Sequence, residues 1–200
     1  MIEIKALSFT RGVHELYRDF DAQLATGEAV LLTGPNGAGK STLIQLIGGL
    51  LKPAAGVIEI DGRNVAALKT KEQATLRSIA PQRRSFTLAF TVAEVLNFVP
   101  KKLRVSDNAF VIEKLGLSQL LHRKVTELSI GQQERVSLAL ALSQEANYYL
   151  LDEPFSAQDS QSISQILEII AHIKRTKGVL VISHNQDAIS NYFDRVINLA

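Results

Sequence analysis

The sequence contains no cysteine and no tryptophan, one methionine and five prolines in 200 residues. Without cysteine there is neither a disulfide framework nor a thiolate metal site, which suits a reducing compartment such as the cytosol. Charge of neither sign predominates: 22 Lys and Arg stand against 20 Asp and Glu, interspersed, for a net charge of +2. Such a balance supplies no field for nucleic acid or an anionic membrane surface, so no nucleic-acid partner is expected. The densest basic stretch, Lys101, Lys102 and Arg104, reads as a solvated face or loop. No run approaches the ~18 apolar residues of a membrane-spanning helix. The opening MIEIKALSF is strand-like and lacks a signal-peptide pattern. If such a chain acts at a membrane, another must cross it. Internal repeats and low-complexity tracts are absent too. The 46% hydrophobic and 21% charged residues that remain are ordinary for one globular domain.

Along the chain, Ile2, Ile4 and Ala6 alternate with Glu3 and Lys5, predicting a half-buried strand from Ile2 to Phe9 that Thr10-Arg11-Gly12 ends. A second strand is expected from about Leu16 to Leu24, and Thr26-Gly27-Glu28 turns the chain into the buried run Ala29-Val30-Leu31-Leu32. Gly56 to Gly62 has the form of a short strand closed by an Asp-Gly turn, and Ser78 to Gln82 that of a strand stopped by Pro81. The pattern then becomes helical. Val92 to Phe98 follows Thr91, with Glu94 three residues on, and stops at Pro100; a second segment runs from about Asp107 to Leu115, ending at Gly116. Afterwards come a helix from about Gly131 to Glu145, the strand Tyr148 to Leu151, a helix from about Ser160 to Lys174, the strand Val179 to Ile182, and Val196 to Leu199. Short apolar strands alternating with helices predict an α/β fold whose largely parallel sheet is covered on both faces, preceded by an N-terminal antiparallel β part. The expected organisation is a single domain over 1–200, with an α/β core at about 1–82 and 127–200 and a helical lobe inserted at about 83–126.

Between the first buried strand and the helical run Leu43, Ile44, Leu46, Ile47 and Leu50 lies GPNGAGKST, residues Gly34 to Thr42. Its spacing is that of the phosphate-binding P-loop, Gly-x-x-x-x-Gly-Lys-Ser, with Gly34, Gly39, Lys40 and Ser41 at the defining positions. Strand, loop and helix are the context that its mechanism requires. Gly34, Pro35, Asn36, Gly37, Ala38 and Gly39 form the cradle, where backbone N–H groups turn inward and the helix N-terminus adds roughly half a positive charge. Lys40 is expected to reach the β- and γ-phosphates and Ser41 to place its hydroxyl on Mg2+, with Thr42 beside them.

The strand in YYLLDEP delivers Asp152 and Glu153 at its C-terminal end, where open α/β sheets place their ligands. Successive strand side chains diverge, so the two carboxylates can serve different purposes. Asp152 is assigned to Mg2+, directly or through its water shell, and Glu153 to orienting and polarising an attacking water.

Thr126 to Arg135, TELSIGQQER, resembles the signature segment of ATP-binding cassette (ABC) ATPases, usually written LSGGQ. With the P-loop and YYLLDEP, the similarity extends over nearly the whole chain. It implies a P-loop NTPase (RecA-like) core, with ATP and Mg2+ as ligands and ATP hydrolysis as the activity. It implies that Gln82, in IAPQ, is the glutamine that senses Mg2+ and the γ-phosphate and begins the contact with a transmembrane partner. By the same resemblance Ser156-Ala157-Gln158-Asp159 is the D-loop, usually SALD, with Gln158 in place of leucine, and His184, in VISHN, contacts the γ-phosphate. His14, His122 and His172 match nothing and are read as surface or packing residues. Ile130 replaces the first glycine of the usual signature. Ser129 and Gly131 are retained and, with Gln132, are expected at the nucleotide of a second subunit. The family's adenine-stacking aromatic falls near Arg11, flanked by Phe9 and Tyr17; a stacked guanidinium and either aromatic remain alternatives, and Phe9 is equally suited to core packing.

The implied assembly is a head-to-tail pair of cassettes, a homodimer or a pairing with a close paralogue, glued by ATP and released by hydrolysis. A transmembrane permease would receive the helical lobe and the Gln82 region, placing the protein on the cytoplasmic face of the inner or plasma membrane. A substrate-binding protein is a further partner in an importer. The short chain resembles separately encoded cassettes more than fused exporters, and PQRRSFTLAFTVAEVL is loosely like importers of metal ions or metal chelates. Another small solute, or an export cassette of the haem-exporter type, is the alternative. A soluble ABC ATPase of translation or DNA maintenance usually shows tandem cassettes, a coiled-coil insertion or a basic surface, none of which is seen here. A small-molecule P-loop kinase would leave the signature segment and His184 unexplained.

Overall fold

In the computed structural model the described residues are 1–82, 86–106, 108–184 and 186–199. Arg83, Arg84 and Ser85 at the start of the expected lobe, Asp107 at the start of the second lobe helix, Asn185 of VISHN and Ala200 lie outside them. The chain runs β1 (Ile2–Arg11), β2 (His14–Leu24), β3 (Ala29–Thr33), α1 (Lys40–Ile47), β4 (Ala55–Ile60), β5 (Arg63–Asn64), α2 (Thr70–Leu76), β6 (Arg77–Ala80), α3 (Val92–Leu96), α4 (Asn108–Lys114), α5 (Ile130–Leu142), β7 (Tyr148–Asp152), α6 (Ser160–Ile173), β8 (Gly178–Ile182), α7 (Gln186–Ile189) and β9 (Arg195–Asn198).

Two sheets result. The antiparallel one has the order β2-β1-β4-β5, and the parallel one β6-β7-β8-β3-β9. In the first, Asp61 and Gly62 both have positive φ, 51° and 72°, as the two-residue turn from β4 to β5 demands. The second is buried on both sides, so its strands read as continuous apolar runs, and alternate residues serve opposite faces. Val30, Leu32, Tyr148, Leu150, Leu180 and Ile182 face α1 and the antiparallel sheet, where Leu43, Ile44, Ile4 and Ile58 meet them. Leu31, Tyr149, Leu151, Val179 and Val181 face the other way, into a core completed by Val95, Val111, Val136, Ile166 and Ile169 from α3, α4, α5 and α6. At about 1.5–3 kcal/mol for each large aliphatic side chain buried, these two cores hold the sheet rigid beneath the loops at its C-terminal edge.

Several boundaries differ from the expected ones for local reasons. The first hairpin pairs up to Arg11 and His14, so β1 passes Phe9 and β2 starts before Leu16, leaving Gly12 and Val13 as the turn. Helix α5 begins at Ile130, capped by Ser129, and stops at Leu142 rather than Glu145. There the backbone is taken over by neighbours: Glu145 N–H donates to Leu103 O at 2.7 Å and Val105 N–H to Ser143 O at 3.0 Å. Helix α2 was not expected at all. The Glu72 carboxylate accepts from Lys69 N–H at 3.0 Å at its start, but Leu76 is its only buried residue, so it carries almost no apolar period. Among the described residues no helix is long and apolar enough to cross a membrane.

Candidate active site

Strand β3 is wholly buried and ends in the loop 34–39. Gly34 has φ 140°, and a Cβ there would lie 2.3 Å from the carbonyl oxygen of Leu199, so the chain leaves the strand by a route closed to other residues. Gly39, at φ 95°, brings the loop into α1, and its carbonyl accepts a hydrogen bond from the Tyr17 hydroxyl at 2.9 Å. Tyr17 is buried and braces the loop from below, which removes it from the alternatives for stacking on a base. Phe9 is partly buried among residues of the α1-side core. Lys40 is also buried, its ammonium donating to the carbonyls of Gly34 at 2.7 Å and Pro35 at 2.9 Å. Its charge is thereby fixed at the centre of the loop, next to the N-terminus of α1.

Over this loop lies a cavity of about 810 Å3, within the range of small-molecule sites. Asn36 to Thr42 form its floor, Gln82, Glu153 and His184 one end, and Arg11, His14, Glu15 and Leu16 the other. Arg11 is exposed and reaches Thr42 Oγ1 from Nη1 at 3.5 Å. His14, which sequence reasoning set aside, sits directly opposite Arg11 in the hairpin and lines the same end. The hairpin register supplies the signal that could have found it: whatever Arg11 faces, its cross-strand partner faces too. The other two histidines stay away from the cavity: His122 is exposed and His172 packs on Phe110, with ring centroids 4.8 Å apart.

At the opposite end the two carboxylates diverge. Asp152, the last residue of β7, shares the face of Tyr148 and Leu150 and so points toward α1, where the Ser41 hydroxyl hydrogen-bonds it. Burial raises its pKa above the ordinary aspartate value, and Ser41, Lys40 and His184 oppose the rise. Its Oδ1 is buried with no hydrogen-bond partner among the described residues. An orphaned hard oxygen beside a serine hydroxyl fits Mg2+, which takes few protein ligands and fills its octahedron with water and phosphate oxygens. Glu153 follows with φ 54°, a left-handed conformation uncommon for a residue with a side chain, and its N–H is tied to Ile182 O at 3.1 Å. That backbone turns the Glu153 carboxylate to within 3.0 Å of His184 Nε2. Its pKa is raised, chiefly by burial, with the histidine opposing the rise.

The structure thus brings Gly34 to Thr42, Arg11, Gln82, Asp152, Glu153 and His184 to one site. Ser129, Gly131 and Gln132 are not among the residues lining it. They stand at the start of α5, Ser129 exposed and Gly131 and Gln132 half-buried, where Ser129 Oγ accepts the Gln132 N–H at 3.3 Å and the Gln132 side-chain oxygen accepts the Ser129 N–H at 3.0 Å. Ile130, between them, is 73% exposed.

A phosphate loop, two divergent carboxylates and a histidine at the C-terminal edge of a parallel sheet define a P-loop nucleotide hydrolase. Known proteins narrow the class. A family model described as ABC transporter matches residues 17–156. The chain is 36% identical to the zinc transport system ATP-binding protein of Treponema pallidum, over all of this chain and 81% of that one. It is 34% identical to the hemin import ATP-binding protein of Bordetella avium, over all of this chain and 82% of that one. Among solved structures, a dimeric ATP-binding cassette in a post-hydrolysis state, bound to ADP and Pi, superposes with a TM-score of 0.84 at 26% identity, covering all of this chain and 94% of the other. The chain belongs to the ABC transporter family, as an ATP-binding and ATP-hydrolysing subunit.

Proposed function

We propose that this subunit powers import of a metal ion or metal chelate through a membrane permease, working as a head-to-tail pair of cassettes on the cytoplasmic face of the membrane. The observation that carries the pairing is the separation of Ser129 and Gly131 from the cavity of their own chain, with Ser129 and the adjacent Ile130 exposed and Gly131 half-buried. Groups that suit a phosphate but face away from the local one suit the nucleotide of a second copy. The zinc and hemin relatives support the substrate class. The permease would dock on the Gln82 region and the helical lobe at about 83–126, and a substrate-binding protein would deliver the cargo.

In this mechanism the base of ATP lies between Arg11, His14 and Leu16, and the triphosphate lies along the loop. Lys40 exchanges its carbonyl partners for β- and γ-phosphate oxygens. Ser41, Asp152 and Gln82 would hold Mg2+, which when bound neutralises phosphate charge. Glu153 accepts a hydrogen bond from the attacking water and aligns it with the γ-phosphorus. His184 steadies that carboxylate through their 3.0 Å contact and donates to a γ-phosphate oxygen. Lys40 and His184 then stabilise the charge that spreads over the phosphoryl oxygens in the transition state. The Ser129 hydroxyl and Gly131 N–H of the second copy close the site, so turnover requires the pair.

The test is Glu153→Gln. It should bind ATP, lose turnover and accumulate as an ATP-dependent dimer in light scattering, and it should abolish uptake of labelled zinc or hemin by cells that depend on this subunit. Turnover near the wild-type rate removes Glu153 from its role. A variant that stays monomeric in saturating ATP removes the paired site, and outward flux of cargo reverses the direction.

A further inference from the structure

The segment from Glu153 to Asp159 joins the water-orienting carboxylate to α6, and both of its ends are pinned. At one end the Glu153 N–H is bound to Ile182 O; at the other the Asp159 carboxylate caps α6, accepting the Ser162 N–H at 2.7 Å. Between them Ala157 is held at φ 52°, a conformation that costs a residue bearing a Cβ. Gln158 secures this middle part. Its Nε2 lies 3.2 Å from Gly131 O, 3.3 Å from Glu134 Oε2 and 3.2 Å from Ser156 O, three acceptors for two hydrogens. Gly131 and Glu134 are one turn apart near the start of α5, the helix that Ser129 caps. The backbones themselves touch here: a Cβ on Gly131 would lie 2.8 Å from Ala157 O.

A leucine at this position has no donor and could make none of these bonds. The amide therefore adds a polar clasp, charge-assisted through Glu134, between two pieces of one chain that serve different nucleotides. We propose that Gln158 is a positioning residue that couples the surface offered to the second copy's ATP to the Glu153 of the chain's own site. The proposal rests on the paired-site reading above. Seating Ser129 and Gly131 on the partner's nucleotide shifts the start of α5, the clasp carries that shift into the Glu153–Asp159 turn, and the two sites fire together.

The test compares the full-length wild type with Gln158→Met, which keeps the length of the side chain and removes the donor, and with Gln158→Lys, which returns a donor opposite Glu134. The readouts are the ATP dependence of turnover and the melting temperature. Gln158→Met should melt with the wild type, lower kcat about 3- to 10-fold and bring the Hill coefficient from near 2 to about 1, and Gln158→Lys should restore the coefficient. A wild-type coefficient in Gln158→Met overturns the proposal, as does a loss of melting temperature and rate that leaves cooperativity intact. If Gln158→Met melts early, Glu134→Gln approaches the same clasp from α5 and should lower the coefficient in the same sense; a wild-type value there also overturns it. Failure of the paired site itself reads differently, as a wild type with a Hill coefficient of 1 whose Glu153→Gln form never dimerises.

Discussion

Tyr17→Phe removes one hydroxyl and leaves the ring. That hydroxyl donates to Gly39 O at 2.9 Å, while the ring is 3% exposed and packs 5.2 Å from Phe20, centroid to centroid. The same carbonyl also accepts the N–H of Leu43 at 2.9 Å, so the substitution strands no buried acceptor. The cost therefore belongs at the lower end of the net value of a hydrogen bond, about 0.5–1 kcal/mol, rather than the ~1–3 kcal/mol of an orphaned group. For a chain of this size that is a fall of about 1–4 °C in melting temperature. The bond also fixes the left-handed Gly39 that feeds Lys40 into the loop. If the whole of it is expressed in phosphate binding, the Kd for ATP rises about 2- to 5-fold. Because the ring lies under the loop and away from the base end, affinities for ATP and GTP should fall by the same factor. Calorimetric melting and titration with both nucleotides check the two halves. A fall confined to ATP would place Tyr17 at the base and refute the bracing role. A loss beyond ~8 °C would mean that Leu43 does not satisfy the carbonyl.

Gly131→Ala gains about 0.5–1 kcal/mol of helix propensity but forces a Cβ to within 2.8 Å of Ala157 O, an overpacking cost of about 1–3 kcal/mol, so it should melt lower; a stabilised variant contradicts the close approach. Arg11→Ala should weaken ATP and ADP alike, about 2- to 5-fold, since the proposed contact is with the base that both nucleotides share, and equal titrations of variant and wild type would remove Arg11 from the site. Asp194 accepts from Ala29 N–H at 2.8 Å and pairs with Lys174 at 2.8 Å, which together hold its carboxyl below the ordinary value of 3.8. A lowered carboxyl stabilises the fold at neutral pH and loses that contribution as pH falls through the folded value. Asp194→Asn should accordingly melt lower at pH 7, with the gap to wild type closing under strong acid; a gap independent of pH would show that the charge is irrelevant.

What sequence could convey about this molecule was what is local to a few residues. The loop Gly34 to Thr42 is contiguous, so its spacing alone encodes its shape, and the apolar runs of β3, β7 and β8 announce a doubly covered sheet. Asp152 and Glu153 are legible as a divergent pair because strand geometry separates neighbours. Bracing of Gly39 by Tyr17 spans 22 residues and depends on how the hairpin lies under the loop, which no local pattern states. His14 depended on hairpin register, and that register passes several irregularities between Ile4 and Thr10. Gln158 was visible as a departure from SALD, but its partner stands 27 residues earlier, and only the fold brings them together. Helix α2 escaped because an exposed, single-anchor helix leaves no periodic trace.

Strand β7 divides its side chains between two cores, Tyr148 and Leu150 on one side and Tyr149 and Leu151 on the other, and Asp152 falls on the first side, toward Ser41. A slip of one residue against β6 or β8 would exchange every member of both sets and present Leu151 or Glu153 to the serine. The strand thus acts as a parity check: an error that would misassign the carboxylates also mispacks both cores at once, and the misread copy is rejected by instability before it can act. Catalytic phase and structural phase are written in the same five residues, so a chain that folds carries its chemistry in register.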